Sequence, residues 1–178
     1  MPIVSVRWRS KVLAMVVGMV LMLSGCGVSK MGGQDGKPRP GERSAQEVFT
    51  DFMDAVDDTV QKSGADWPIW NRSHTAGFFP GPCSVRSRDD GRAYQTQIEG
   101  GPVEDPQASV DAMKAYWESK GYKITHVFDN RGDNTTGIEI HAVTPRGMLL
   151  NFTPTKTVSF VKVVGECTLD PAADRRTT

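Results

Sequence analysis

Histidine and cysteine are scarce, with three of each in 178 residues, and neither set is spaced for chemistry. His74, His126 and His141 form no His-x-x-His or His-Glu-x-x-His pattern and no cluster with cysteine, which excludes the common zinc signatures. There is no Cys-x-x-Cys for dithiol redox chemistry, no Gly-x-Ser-x-Gly elbow, and no glycine-rich loop placed to cradle a phosphate before a helix. Charge of one sign is also missing. Twenty-one basic side chains balance 21 acidic ones, so neither a polybasic nucleic-acid surface nor a self-repelling disordered chain is expected. The sequence offers no catalytic residue, no metal site, no cofactor and no nucleic-acid partner, and the chain reads as a non-enzyme.

The apolar run over 12–25 has 14 residues, short of the ~20 that a transmembrane helix needs. Arg7, Arg9 and Lys11 precede it, and Leu23-Ser24-Gly25-Cys26 ends it. A basic start, a short apolar stretch and small residues directly before a cysteine resemble the export signal and lipobox of bacterial lipoproteins. The resemblance implies that residues 1–25 are a signal peptide removed on export. Cys26 would then be the first residue of the mature chain, holding it to the extracytoplasmic side of the cell membrane through a diacylglycerol-type anchor and acyl chains such as palmitate. Cleavage there removes three basic and no acidic residues, which leaves a net charge of about −3. With Cys26 taken by lipid, Cys83 and Cys167 are the remaining pair. In an oxidising compartment they are expected to form a disulfide, the alternative being two free thiols.

Residues 26–43, rich in glycine, proline and charge, read as a flexible tether. Order is expected over 44–169, with 170–178 a disordered tail. Ser44-Ala-Gln-Glu47 has capping-box spacing, and Val48, Phe52, Met53, Val56 and Val60 recur at helical intervals up to Gly64. The opposite face carries Asp51, Asp54, Asp57 and Asp58, which read as a solvated helix face. A second amphipathic helix is predicted from Asp105-Pro106 through Val110, Met113, Tyr116 and Trp117 to Gly121.

Strand signals fill the rest. From Cys26 onward the chain has 13 Val and 14 Thr but only 3 Leu, a balance that favours sheet. Asp89-Asp90-Gly91 between two strand-like stretches predicts a hairpin turn. Four further strands are predicted over 122–129, 137–144, 148–153 and 158–164, with short connections that favour an antiparallel meander. The expected fold is α+β: a single antiparallel β-sheet, made of a hairpin plus a four-stranded meander, with two amphipathic helices packed on one face.

Trp117 with Gly121-Tyr122, the turn Thr144-Pro145-Arg146-Gly147 and the closing Gly165-x-Cys167 resemble small actinobacterial lipoproteins of the mycobacterial Lpp type, whose function is unknown. That resemblance implies the envelope address and the α+β fold, and it brings no activity with it.

Trp67, Trp70, Phe78 and Phe79 lie among prolines, in a segment that is neither helix interior nor central strand. Two readings stand: a recognition surface for an envelope protein, or a lid that wraps the core beside Cys83. Strand alternation groups His126 with Ile124 and Phe128, and sets His141 with Glu139 opposite Ile138 and Ile140. The two imidazoles are therefore expected on opposite sides of the sheet, with His126 a structural, at least half-buried residue. The loop Asp129-Asn-Arg-Gly132-Asp-Asn134 reads as a hairpin tip. The function expected is a binding or scaffolding module in the cell envelope. The alternatives are a carrier of a small hydrophobic or lipid ligand, and an envelope hydrolase using His74 or His126 with an acid.

Overall fold

Ser44 starts the first helix by reciprocal hydrogen bonds. Its side chain accepts from the Glu47 N–H, and its own N–H donates to Glu47 Oε2 at 2.9 Å. In the structure, a computed structural model, this helix is α1 (Ala45–Lys62). Residues 38–74, 78, 80–129 and 137–174 are described. The expected signal peptide 1–25, Cys26 with most of the expected tether, Phe79, the hairpin tip 130–136 and residues 175–178 lie outside them. The second helix, α2 (Pro106–Ser119), opens on Asp105, whose Oδ1 accepts from Ala108 N–H at 3.1 Å, with Pro106 in the first turn.

Among the described residues six strands make one open antiparallel sheet: β1 (Pro80–Val85), β2 (Arg88–Gly100), β3 (Lys123–Asp129), β4 (Ile138–Val143), β5 (Leu149–Thr153) and β6 (Ser159–Val164). Their order across the sheet is β1-β2-β6-β5-β4-β3. The long strand β2 serves two neighbours in succession. Its first half pairs with β1, from Val85 opposite Arg88 to Pro80 opposite Tyr94, and its second half, Gln95 to Gly100, pairs with β6. The fold class is thus α+β with a single antiparallel sheet.

Alternate strand residues meet the helices in one core. Ile138, Ile140 and Ala142 of β4, Leu150 and Phe152 of β5, and Val161 and Val163 of β6 are buried with Val48, Phe52 and Val56 of α1 and Val110, Met113 and Trp117 of α2. Each large apolar side chain fully buried here contributes about 1.5–3 kcal/mol.

The hairpin turn corrects the sequence reading. It falls on Arg86 and Ser87, both at positive φ (54° and 62°), which is the twist a two-residue hairpin turn needs. Asp89, Asp90 and Gly91 are strand residues of β2. Gly91 answers a packing demand instead: it lies opposite Cys83, and a Cβ on it would stand 2.6 Å from Cys167 Sγ and 2.9 Å from the Cys83 carbonyl oxygen. Cys83 and Cys167 are disulfide-bonded, with Cα atoms 6.0 Å apart.

Both expected boundaries of the ordered domain move outward. Gly41 forms a parallel bridge with Thr168, accepting from Leu169 N–H at 3.0 Å, and Thr168 also pairs with Arg92. Arg43, expected in the tether, is only 7% exposed; its Nη1 donates to Asp51 at 2.6 Å and to Glu166 at 2.8 Å. At the other end Pro171–Asp174, expected in the tail, forms a short 3-10 turn with Ala173 buried.

Trp67 packs against Gly100 so closely that a Cβ there would lie 2.6 Å from ring atoms. The indole is held in place, since its Nε1 donates to Ser63 Oγ at 2.7 Å. Gly100→Ala is expected to displace the ring, lower stability by about 1–3 kcal/mol and shift tryptophan emission to the red. Equilibrium urea unfolding followed by fluorescence checks this, and an unchanged native spectrum would show that the ring has room to move.

Candidate functional site

The aromatic segment is largely committed to packing. Trp67 is 7% exposed and belongs to the core, so it is not on a recognition surface. Trp70 and Phe78 are half-buried. Phe78 stands edge-on to Phe52 and to Trp70, at ring-centroid distances of 5.6 and 6.2 Å, and Trp70 Nε1 donates to Asp57 Oδ1 at 3.0 Å. Among the described residues of this segment the outward apolar group is Ile69, at 70% exposure. An isolated exposed isoleucine is ordinary on a protein surface.

The acidic face of α1 is more than a solvated face. Asp51 meets Arg43, Asp54 and Asp57 meet Arg72, and Asp58 Oδ2 lies 3.3 Å from Lys120 Nζ and accepts from Tyr116 Oη at 3.0 Å. The sequence shows the acids as a helical stripe. Their partners come from segments before α1, after α1 and at the end of α2, so no local pattern announces them.

Between this face, the end of α2 and the β4–β5 turn lies an open cleft of about 490 Å³. Asp51, Asp54 and Asp58 line one wall, Lys120 and Tyr122 a second, and Arg146 the turn. The turn is set by buried Thr144, whose Oγ1 accepts from Met148 N–H at 3.1 Å and whose carbonyl accepts from Gly147 N–H at 2.9 Å. Arg146 reaches back to within 3.7 Å of Asp51.

The electrostatics keep Tyr116, Tyr122 and Lys120 in their ordinary charge states. Burial raises the Tyr122 phenol, with Lys120 pulling it down and Asp58 and Asp51 pushing it up. The Tyr116 phenol is raised by burial and by its hydrogen bond to Asp58, and Lys120 is raised chiefly by its hydrogen bond to that same carboxylate. At neutral pH the tyrosines are therefore neutral and Lys120 is cationic. The cleft offers anions, cations and neutral hydroxyls at fixed places, with no histidine and no nucleophile paired to a base among the described residues that line it. Such a lining suits a polar ligand or a polypeptide segment carrying both charges, and does not suit a hydrocarbon chain.

The histidines depart from expectation. A β-bulge between Ile124 and His126 shifts the register, and His126 lies directly opposite His141. The shift turns both imidazoles to the same face, with ring centroids 6.0 Å apart, and His126 is exposed rather than half-buried. One inserted residue reverses every inference from alternation beyond it. His74 is exposed in the segment after α1 and does not join them. Among the described residues, no three His, Cys, Asp or Glu side chains are grouped as metal ligands. No protein family, curated protein or solved structure matches this chain.

Proposed function

We propose that the chain is a membrane-anchored extracytoplasmic lipoprotein that acts as a binding or scaffolding module in the cell envelope, akin to the small actinobacterial lipoproteins it resembles. The observation that carries this reading is the Cys83–Cys167 bridge. A structural disulfide belongs to an oxidising compartment, and this one leaves Cys26 as the remaining thiol for lipid attachment. The module is a hairpin joined to a four-stranded meander with both helices layered on one face, a reading supported by the single core that helices and strands share. Its ligand surface is the charged cleft beside α1, whose lining favours a polar envelope partner over a lipid cargo.

Metabolic labelling with an alkyne fatty acid tests the anchor. The wild-type chain is expected to take up label and fractionate with the membrane, whereas Cys26→Ala is expected to be unlabelled and not to be retained there. Label retained by Cys26→Ala would refute the anchor. A photo-crosslinking side chain placed at Arg146, compared with one at Lys162 on the opposite face of the sheet, tests the cleft. A discrete adduct only from position 146 is the expected result, and adducts only from 162 would move the binding surface to the open sheet.

A further inference from the structure

An open sheet ends in two edge strands, and a bare edge invites another strand to pair with it unless something blocks it. β1 is blocked. Pro80 and Pro82 have no N–H to offer, and a bulge interrupts the strand between Cys83 and Val85. β3 is blocked only over its first half, where exposed Lys123 and the bulge between Ile124 and His126 lie. From His126 to Phe128 the strand is in regular register with β4, and among the described residues nothing pairs with its other side.

The apolar surface follows the same division. Ile124 packs against the core, but Val127, on the same face and directly opposite the fully buried Ile140, is 47% exposed. The apolar side of the sheet thus continues to its edge and is left uncovered there. On the other face Phe128 is 45% exposed. Of the four large apolar side chains exposed among the described residues, two are therefore neighbours on one unblocked edge, which sets them apart from the isolated exposed residues that any surface carries.

We propose that the free edge of β3 over 126–128 is an interface between two copies of this chain, which pair antiparallel about a twofold axis at Val127 and join their sheets edge to edge. A twofold contact must fit itself, because each patch meets its own copy. Centring it on Val127 sets that residue against Val127 of the second copy, and sets His126 against the second copy's Phe128 on the opposite face. Both pairings are apolar or aromatic. The ring pairing has counterparts inside the chain, where Phe128 stands edge-on to His141 across the β3–β4 ladder at 5.4 Å and stacks on His126 of its own strand at 5.3 Å. A centre earlier in the strand would bring the bulge and Lys123 into the new ladder, and a later one would set Val127 against position 129, an aspartate. Three residues a side fall well short of the ~800 Å² per partner of a standard interface, so the dimer is weak and depends on concentration.

The test traps the pair in the full-length chain in detergent. Cβ atoms of directly paired residues lie about 4.5–5.5 Å apart, so Val127→Cys is expected to form a disulfide-linked dimer under mild oxidation. Lys114→Cys, exposed on α2, should not. Without oxidant, sedimentation in density-matched detergent should show the wild-type chain dimerising as its concentration rises, Val127→Lys losing the dimer, and Phe128→Ala weakening it about tenfold. Circular dichroism checks that each variant is folded, and Phe128→Ala carries the comparison if Val127→Lys is not. Equal trapping from positions 114 and 127 would mean chance collision, and a folded Val127→Lys chain that dimerises as wild type does would put the contact elsewhere. Either result overturns the assignment, as does the absence of a trapped dimer. A photo-crosslinking side chain at 127 that yields adducts in native membranes only to a different protein would give the edge to a foreign strand and overturn it as well.

Discussion

The double variant Cys83→Ser/Cys167→Ser is expected to lose about 2–5 kcal/mol of stability. The bridge spans 84 positions, and loop-closure entropy alone assigns such a cross-link about 4.5 kcal/mol. A loss of that size should lower the unfolding midpoint by about 10 °C or more. The location adds to the length. β1 is an edge strand with a half-exposed pattern, held by its ladder to the first half of β2 and by the covalent link to the segment after β6. Urea unfolding of oxidised and reduced chains, with hydrogen exchange read strand by strand, checks both points. β1 should lose protection first when the bridge is cut. Coincident midpoints would mean that reduction leaves the loop as constrained as oxidation does.

Arg43→Ala is expected to cost about 3–5 kcal/mol, because it leaves the Glu166 carboxylate buried without its cation. The Arg43 side chain is 8% exposed and that of Glu166 10%, so water reaches neither well. Burial alone would lower the arginine's proton affinity; the hydrogen bonds to Asp51 and Glu166 outweigh it, and the guanidinium is held above its usual range. It therefore stays charged throughout the accessible pH range, and the loss in the alanine variant is a missing partner rather than a titration. The double variant Arg43→Met/Glu166→Met separates the two costs, since replacing a buried ion pair with apolar groups of similar volume is often neutral or stabilising. It should recover most of what Arg43→Ala loses in urea midpoint. A double variant as unstable as the single one would assign the cost to the shape of the arginine side chain.

The readable parts of this fold are the local ones. The capping box at Ser44 and the Asp105-Pro106 start are each decided within four residues, so the helices could be placed from sequence. The hairpin turn could not. Arg86-Ser87 has no Gly, Asn or Asp for its two positive-φ positions, while Asp90-Gly91 has them; Gly91 is needed instead to admit a disulfide whose other half lies far along the chain. Sheet order was hidden for a similar reason, because β2 pairs with β6 through a contact no nearby residue encodes. On the site side, a single bulge at Thr125 put His126 and His141 on one face, and no residue type in 122–128 signals it. The cleft was visible only as an acidic stripe, since the cations that pair with the stripe, Arg43, Arg72, Lys120 and Arg146, come from four separate segments.

Gly41 lies beside Thr168, and Thr168 beside Arg92, so the chain enters and leaves the described fold at one corner. Traction on the N-terminal segment is delivered there first. Because Gly41 and Thr168 run parallel, a pull along the segment's own axis loads their pairing in shear, with the Arg43 ion pairs next in line. One residue before Thr168, Cys167 passes the load covalently to β1. The corner works as a cable clamp: tension is shared between the chain's two ends and the sheet edge before it reaches the helices, and a thiol reductant would release its strongest jaw.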